Sequence, residues 1–289
     1  MSDSVFKGVC TALVTPFLDD KINYPLMEQL ICRQIDAGVP AVVLSGTTGE
    51  SPTLSDYEKT ELFRRAKAYA GSHCKIIAGT GTNSTAHAVT LSQAAEKAGV
   101  DALLVVSPYY NKGNADGLYQ HYEAIAQSVS LPIIMYNVPT RTGIDIPISV
   151  YKKLSKYPNI VGVKEACPDI TKIPRILNSC GKDFNIWTGN DDQIVPVTAL
   201  GGIGVVSVIS NILPEETIAM TQATLNGDLK TAAMLQSQLM PLIELLFCEV
   251  NPIPVKYAMR HIGFDCGSCR LPLGQLSDEH KKQIDRFFS

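Results

Sequence analysis

Short apolar runs rich in β-branched residues recur at regular spacing along the chain: Val9–Thr15, Ala41–Ser45, Lys75–Ala78, Ala102–Val106, Pro132–Tyr136, Ile160–Lys164, Asn185–Trp187 and Gly204–Val208. Most are apolar throughout instead of alternating with polar residues, as parallel strands covered on both faces are. Between them the apolar positions shift to the three-and-four spacing of amphipathic helices. Leu26–Ala37 stops at Gly38, Ser84–Ala98 stops at Gly99, and Ser55-Asp-Tyr-Glu58 is a capping box opening a helix that ends at Gly71. Further helices are predicted over Gly117–Val129, Pro147–Lys156, Asp169–Asn178, Gln193–Leu200 and Pro214–Leu225. Eight strands, each followed by a helix, predict an α/β fold of the (β/α)8 TIM-barrel type. A doubly wound sheet shares this alternation, but the glycine-rich dinucleotide fingerprint is missing after the first strand.

Beyond residue 225 the pattern changes. Asp228–Phe247, Pro254–His261 and Ser277–Phe288 are predicted helices with no strand between them. Residues 1–225 are therefore expected to form the barrel, and residues 226–289 a C-terminal helical domain packed on it. The charged run Asp278-Glu-His-Lys-Lys282 is expected to be a solvated helix face.

Composition narrows the partners. A hydrophobic content of 45% over 289 residues is ample for one large core, and a net charge of −3 with scattered Lys and Arg gives no footprint for nucleic acid or an anionic membrane. A small-molecule partner is expected. The N-terminal stretch Met-Ser-Asp-Ser-Val-Phe-Lys-Gly has no apolar signal-peptide core, and no apolar run approaches transmembrane length, so a cytoplasmic protein is expected. Of eight cysteines, Cys10, Cys32, Cys74, Cys167, Cys180 and Cys248 stand alone. Cys266 and Cys269 form a single CxxC with no second half for a zinc site, so all are expected to be reduced. No cluster of His, Cys and carboxylates has metal-ligand spacing, which disfavours a metal mechanism.

Unusual polar residues fall after the strands, where a barrel of this type builds its active site. Thr47 and Thr48 follow strand two, Tyr109 and Tyr110 strand four, Tyr136 ends strand five with Arg141 just beyond, Lys164 ends strand six, and Gly189-Asn-Asp191 follows strand seven. Each has a plain structural alternative: Lys164 as a strand-end lysine reaching water, Gly-Thr-Thr-Gly as a self-satisfied turn, Tyr136 as a core tyrosine, Arg141 as a surface ion-pair residue, and Asp191 and Asp192 as caps or ligands. Their convergence on one mouth favours chemistry. An amine desolvated by apolar walls loses part of its preference for the ammonium form, and the free amine is a nucleophile toward ketones.

The motifs Thr11-Ala-Leu-Val-Thr-Pro-Phe17, Gly46-Thr-Thr-Gly-Glu-Ser51, Ala78-Gly-Thr-Gly81, Ser107-Pro-Tyr-Tyr-Asn111, Tyr136-Asn-Val-Pro-Thr-Arg-Thr-Gly143, Gly162-Val-Lys-Glu165 and Asn251-Pro-Ile-Pro254 run nearly end to end. Together they resemble the pyruvate-dependent class I aldolases and lyases, and Arg141 resembles the branch that condenses pyruvate with L-aspartate 4-semialdehyde in the lysine pathway. The resemblance implies an imine between Lys164 and pyruvate with no separate cofactor. It implies that Thr48 holds the pyruvate carboxylate, that Tyr136 moves protons with Thr47 in a relay, and that Gly189 and Val206 complete the substrate site. Arg141 would grip the carboxylate of the semialdehyde through paired hydrogen bonds. Tyr110, otherwise an ordinary loop aromatic, would complete the relay from a neighbouring subunit, implying a dimer or a homotetramer built as a dimer of dimers.

Feedback-inhibited relatives bind lysine beside the active site, and Ser51, Asn83 and Tyr109 resemble that site. Asp56 and Lys59 stand where those relatives often carry histidines, and His87 stands where a glutamate would pair with the inhibitor's ammonium. Removing that counter-charge and adding Lys59 predicts weak or absent inhibition by lysine. The competing readings are an N-acetylneuraminate lyase or 2-keto-3-deoxy sugar-acid aldolase of the same superfamily, and a catalytically silent barrel that senses a 2-oxo acid.

Overall fold

The computed structural model describes residues 4–289, so Met-Ser-Asp at the start of the N-terminal stretch lies outside the description. Eight parallel strands close a barrel: β1 (Gly8–Ala12), β2 (Ala41–Leu44), β3 (Lys75–Gly79), β4 (Ala102–Val106), β5 (Ile133–Asn137), β6 (Ile160–Glu165), β7 (Asn185–Thr188) and β8 (Gly204–Ser207). Each pairs with its sequence neighbours, and Gly8↔Gly204 through Thr11↔Ser207 join β1 to β8. All eight predicted runs are strands, with ends moved by a few residues. The first stops at Ala12, and residues 13–15 leave the sheet to begin the loop above it.

The interior is filled by alternate residues, including Cys10, Ala12, Ala41, Val43, Ile77, Leu104, Ile134, Trp187 and Val206. Phe6 stacks on the Trp187 ring with centroids 4.9 Å apart, in the same interior cluster. The opposite strand faces, with Val9, Val42, Ile76, Leu103, Met135 and Val163, pack under the helices as a larger outer core. Burial on both faces is why the strands read as continuous apolar runs. A register shift at Ile133/Ile134 lets β5 pair onward with Gly162, Val163 and Lys164 of β6.

The covering helices are α1 (Tyr24–Asp36), α2 (Asp56–Ala70), α3 (Thr85–Lys97), α4 (Ala115–Ser128), α5 (Ile148–Leu154), α6 (Lys172–Cys180), α7 (Ile194–Ala199) and α8 (Pro214–Leu225). The predicted capping box is present: Ser55 Oγ accepts from the Glu58 amide, and Glu58 Oε2 accepts from the Ser55 amide. α6 starts later than predicted, because Asp169 accepts the Thr171 amide and hydroxyl in a local turn before the helix begins. Then come α9 (Leu229–Leu246), α10 (Ile253–Ala258) and α11 (Asp278–Phe288). The charged run opens α11 with Asp278 and Glu279 exposed, although His280 Nδ1 lies 2.6 Å from Glu249.

These last helices are tied to the barrel by a buried ion pair. Lys256 Nζ donates to Glu50 Oε1 at 2.8 Å, the Arg270 amide donates to Glu50 Oε2, and the Arg270 guanidinium reaches Glu58. Glu50, at the end of the Gly-Thr-Thr-Gly-Glu turn, is thus held from the far end of the chain in a left-handed conformation with φ of 57°. Among the described residues no helix is long and apolar enough to cross a membrane.

Candidate active site at the carboxyl ends of the strands

Lys164 sits on β6 with its Cα paired to that of Tyr136 on β5. Its side chain is only 6% exposed, and Nζ stands 4.3 Å from the centre of the Tyr136 ring. The alternative of a strand-end lysine reaching bulk water is therefore excluded. Gly189, after β7, makes room for it: a Cβ there would lie 2.8 Å from Lys164 Cε and 2.8 Å from the Ala166 methyl. Glycine at this position is a requirement of close approach.

A cavity of about 630 Å³ opens beside Tyr136. Thr47, Tyr110, Tyr136 and Arg141 line it, whereas Lys164, Thr48, Gly189 and Val206 are not among its lining residues, and Lys164 adjoins it through the Tyr136 ring. Tyr136 is buried, but its hydroxyl has no hydrogen-bond partner among the described residues, unlike a core tyrosine anchored to a carbonyl. Thr47, Tyr136 and Tyr110 share the cavity wall without hydrogen-bonding one another within the chain. Tyr110 is 88% exposed and has φ of 72°. A bulky residue in that left-handed region is strained, so its loop holds it outward at a cost. Val206 is fully buried inside the barrel, paired with Cys10.

Arg141 makes no ion pair among the described residues, contrary to a surface salt-bridge role. Its Nη2 donates to the backbone carbonyl of Asn251 at 3.1 Å. Asn251 Nδ2 in turn donates to Thr48 Oγ1 at 2.9 Å, and its Oδ1 is buried without a partner. One residue between α9 and α10 therefore touches both Thr48 and Arg141. The motif around Asn251 is readable in the sequence, but its reach across 203 residues to Thr48 is not.

A second missed group backs β6. The Glu165 carboxylate faces outward and accepts from Asn137 Nδ2 at 2.6 Å, Tyr151 Oη at 3.1 Å and the Cys167 amide at 2.9 Å. Burial raises its pKa, while the nearby Lys172 ammonium works against this. Asp145, Glu165 and Cys167 lie close enough together to suggest a metal, yet the Lys172 ammonium bonds Asp145 and stands 3.4 Å from Glu165. The cation for this acidic group is thus a lysine. Asp191 resolves as a cap: its Oδ2 accepts from the amides of Val208 and Ile209, both at 2.9 Å, at the turn following β8. The thiols of Cys266 and Cys269 are unpaired, and burial pushes both up to about 12.

The six residues read as an effector site, Ser51, Asp56, Lys59, Asn83, His87 and Tyr109, all line the same cavity. His87 Nε2 lies 3.0 Å from both carboxylate oxygens of Asp56.

The family model described as "Dihydrodipicolinate synthetase family" matches residues 5–289. The chain belongs to the dihydrodipicolinate synthetase family. A relative from Thermoanaerobacter sp. named 4-hydroxy-tetrahydrodipicolinate synthase is 45% identical over 286 residues, covering 99% of this chain and 96% of its own. The crystal structure of dihydrodipicolinate synthase from Aquifex aeolicus superposes with a TM-score of 0.96 at 40% identity, covering 98% of this chain and 97% of that one. That of the Cyanidioschyzon merolae family member, solved with lysine bound, gives a TM-score of 0.95 at 39% identity, again covering 98% and 97%. Within this family the (β/α)8 barrel with added C-terminal helices is the shared architecture, as it is here.

Proposed function

We propose that this member of the family condenses pyruvate with L-aspartate 4-semialdehyde to 4-hydroxy-tetrahydrodipicolinate, the entry step to diaminopimelate and lysine. The observation that carries the reading is a nearly buried Lys164, its Nζ 4.3 Å from the centre of the Tyr136 ring, with Tyr136 lining a cavity whose wall also offers the Arg141 guanidinium, free of any ion pair among the described residues. The Lys164 amine adds to the ketone of pyruvate, and the carbinolamine loses water to give an imine. The imine draws electrons from the methyl carbon, which loses a proton and becomes an enamine. The imine is itself the electron sink, so the reading calls for no cofactor. The enamine carbon bonds to the aldehyde carbon of the semialdehyde, whose oxygen becomes the hydroxyl. The amine of the new chain then attacks the imine carbon and displaces Lys164 as the ring closes.

Tyr136 is assigned the proton transfers at the carbinolamine and imine, with Thr47 next in the relay and Tyr110 supplied by a partner subunit. An ordinary phenol titrates near 10, so such a relay helps place a usable proton at neutral pH. The exposure and strain of Tyr110 support its serving a neighbour, and we assign a homotetramer built as a dimer of dimers. Thr48 is assigned the pyruvate carboxylate, with Gly189 and Val206 shaping the site, and Arg141 the semialdehyde carboxylate. In this reading residues 1–225 are the catalytic unit, and residues 226–289 support it through Asn251. A cytoplasmic location follows from the biosynthetic role.

A coupled assay with pyruvate and aspartate semialdehyde tests the reading. Turnover is expected, and Arg141→Ala should raise the KM for the semialdehyde far more than that for pyruvate. Equal damage to both would remove Arg141 from its assigned role. Added lysine at sub-millimolar concentration is expected to leave the rate unchanged, and half-inhibition there would contradict the loss of the effector site.

A further inference from the structure

Tyr136 and Lys164 face inward from paired positions on β5 and β6, so the residues after them, Asn137 and Glu165, are paired in turn and face the helices. The preceding outward positions, Met135 and Val163, are apolar and packed in the outer core. Asn137 and Glu165 instead place a polar pair there, both buried. Every polar side-chain atom of the pair is engaged. Asn137 Nδ2 donates to Glu165 Oε1 at 2.6 Å and to Asp145 Oδ1 at 2.7 Å, while its Oδ1 accepts from the Ile146 amide at 3.1 Å. Glu165 Oε1 also accepts from the Cys167 amide, and Oε2 accepts from Tyr151 Oη of α5, with the Lys172 ammonium of α6 3.4 Å away. Residues 138–145, which carry Arg141 on the short helix Pro139–Thr142, are thus closed across their base by one side chain. The Glu165 carbonyl receives the Gly189 amide at 2.7 Å, so the same residue also holds the glycine that makes room for Lys164.

We propose that Asn137 and Glu165 are positioning residues for the two halves of the reaction: Glu165 fixes the Lys164 amine against Tyr136, and Asn137 fixes the loop that presents Arg141. The inference rests on the proposed function, which assigns pyruvate to Lys164 and the semialdehyde carboxylate to Arg141. Neither side chain lines the cavity, so neither is a catalytic residue. An apolar pair of similar size would fill this layer without the desolvation that a buried carboxylate entails. What the polar pair adds is direction, because hydrogen bonds lock the rotamers and the register of the elements they join. The two roles are separable. Without Glu165, Asn137 still holds Asp145 and the Ile146 amide, and without Asn137, Glu165 still holds Tyr151 and the Cys167 amide.

The test uses the full chain and two readouts. Mixing with pyruvate, quenching with borohydride at timed intervals and weighing the protein gives the rate at which the Lys164 adduct forms, and turnover gives the KM for the semialdehyde. Glu165→Ala should slow adduct formation by about a hundredfold, as for an amine displaced by about 1 Å, and leave the semialdehyde KM nearly unchanged. Glu165→Gln keeps an acceptor for Asn137 and the Cys167 amide and should recover most of the rate. Asn137→Ala should raise the semialdehyde KM by about tenfold while slowing adduct formation far less. A merely structural role would damage both readouts together in each variant. Adduct formation at the parent rate in Glu165→Ala, a Glu165→Gln as slow as Glu165→Ala, or equal damage to both readouts in Asn137→Ala would each overturn the proposal. If Glu165→Ala does not fold, the split in Asn137→Ala decides. If the unmodified chain forms no pyruvate adduct, the proposed function fails instead, and acetylation of Lys164 by acetic anhydride, mapped by mass, still reads how the amine is held. Faster labelling in Glu165→Ala than in the parent and Glu165→Gln is then expected, and equal labelling overturns the role.

Discussion

Gly189 shows how tightly the lysine is placed. The methyl of Gly189→Ala would press on Lys164 Cε and on Ala166 from 2.8 Å, so either the amine moves or the loop after β7 does. A displacement of about 1 Å at a reacting group costs roughly a hundredfold in rate. Gly189→Ala is therefore expected to lower kcat by about that factor with the melting temperature little changed. A variant with full activity would show that the amine is not confined as described. At this scale the residue types were readable, and Lys164, Tyr136 and the two threonines stood out because strands end where they occur. Asn251 and Glu165 did not. Their meaning lies in contacts with Thr48, Arg141, Asn137 and Tyr151, which no local spacing encodes.

Among the elements, the α3–α4 pair carries a pH-dependent contact. His121 of α4 is buried with Nδ1 3.0 Å from Thr85 Oγ1 of α3, and burial lowers its pKa to about 4 from an ordinary 6.5. The folded chain keeps this imidazole neutral, whereas the unfolded chain takes up a proton below pH 6.5. Stability from this residue is thus present at neutral pH and lost as pH falls from about 6.5 toward 4. Between pH 7 and pH 5 the loss should be about 2 kcal/mol. Urea midpoints at the two pH values should show a smaller decline for His121→Gln than for the parent, and equal declines would contradict the assignment. Strand and helix positions were legible because apolar period and caps are local signals. The ends that moved, such as the first strand and α6, did so where loop residues found long-range or turn partners.

For the whole molecule, barrel closure gathers one residue or loop from each of several strands at a single mouth, and the strand count made that legible. The proposed assembly rests on resemblance, since in the sequence Tyr110 looks like any loop aromatic, and the structure adds only its 88% exposure and positive φ. Sedimentation equilibrium should find an assembly of two or more chains. Tyr110→Phe should keep that assembly while lowering kcat by about a hundredfold, in the range of a lost proton-transfer group. A fully active monomer would remove the partner from the mechanism. The central claim is that the Lys164 amine bonds to the carbon of a 2-oxo acid, and borohydride reduction in the presence of pyruvate addresses it directly. The expected result is loss of activity with one adduct per chain, heavier by pyruvic acid less one oxygen, mapped to the peptide containing Lys164 and absent from Lys164→Ala. An unmodified Lys164 in protein that still consumes pyruvate, or an adduct on another lysine, would contradict the account.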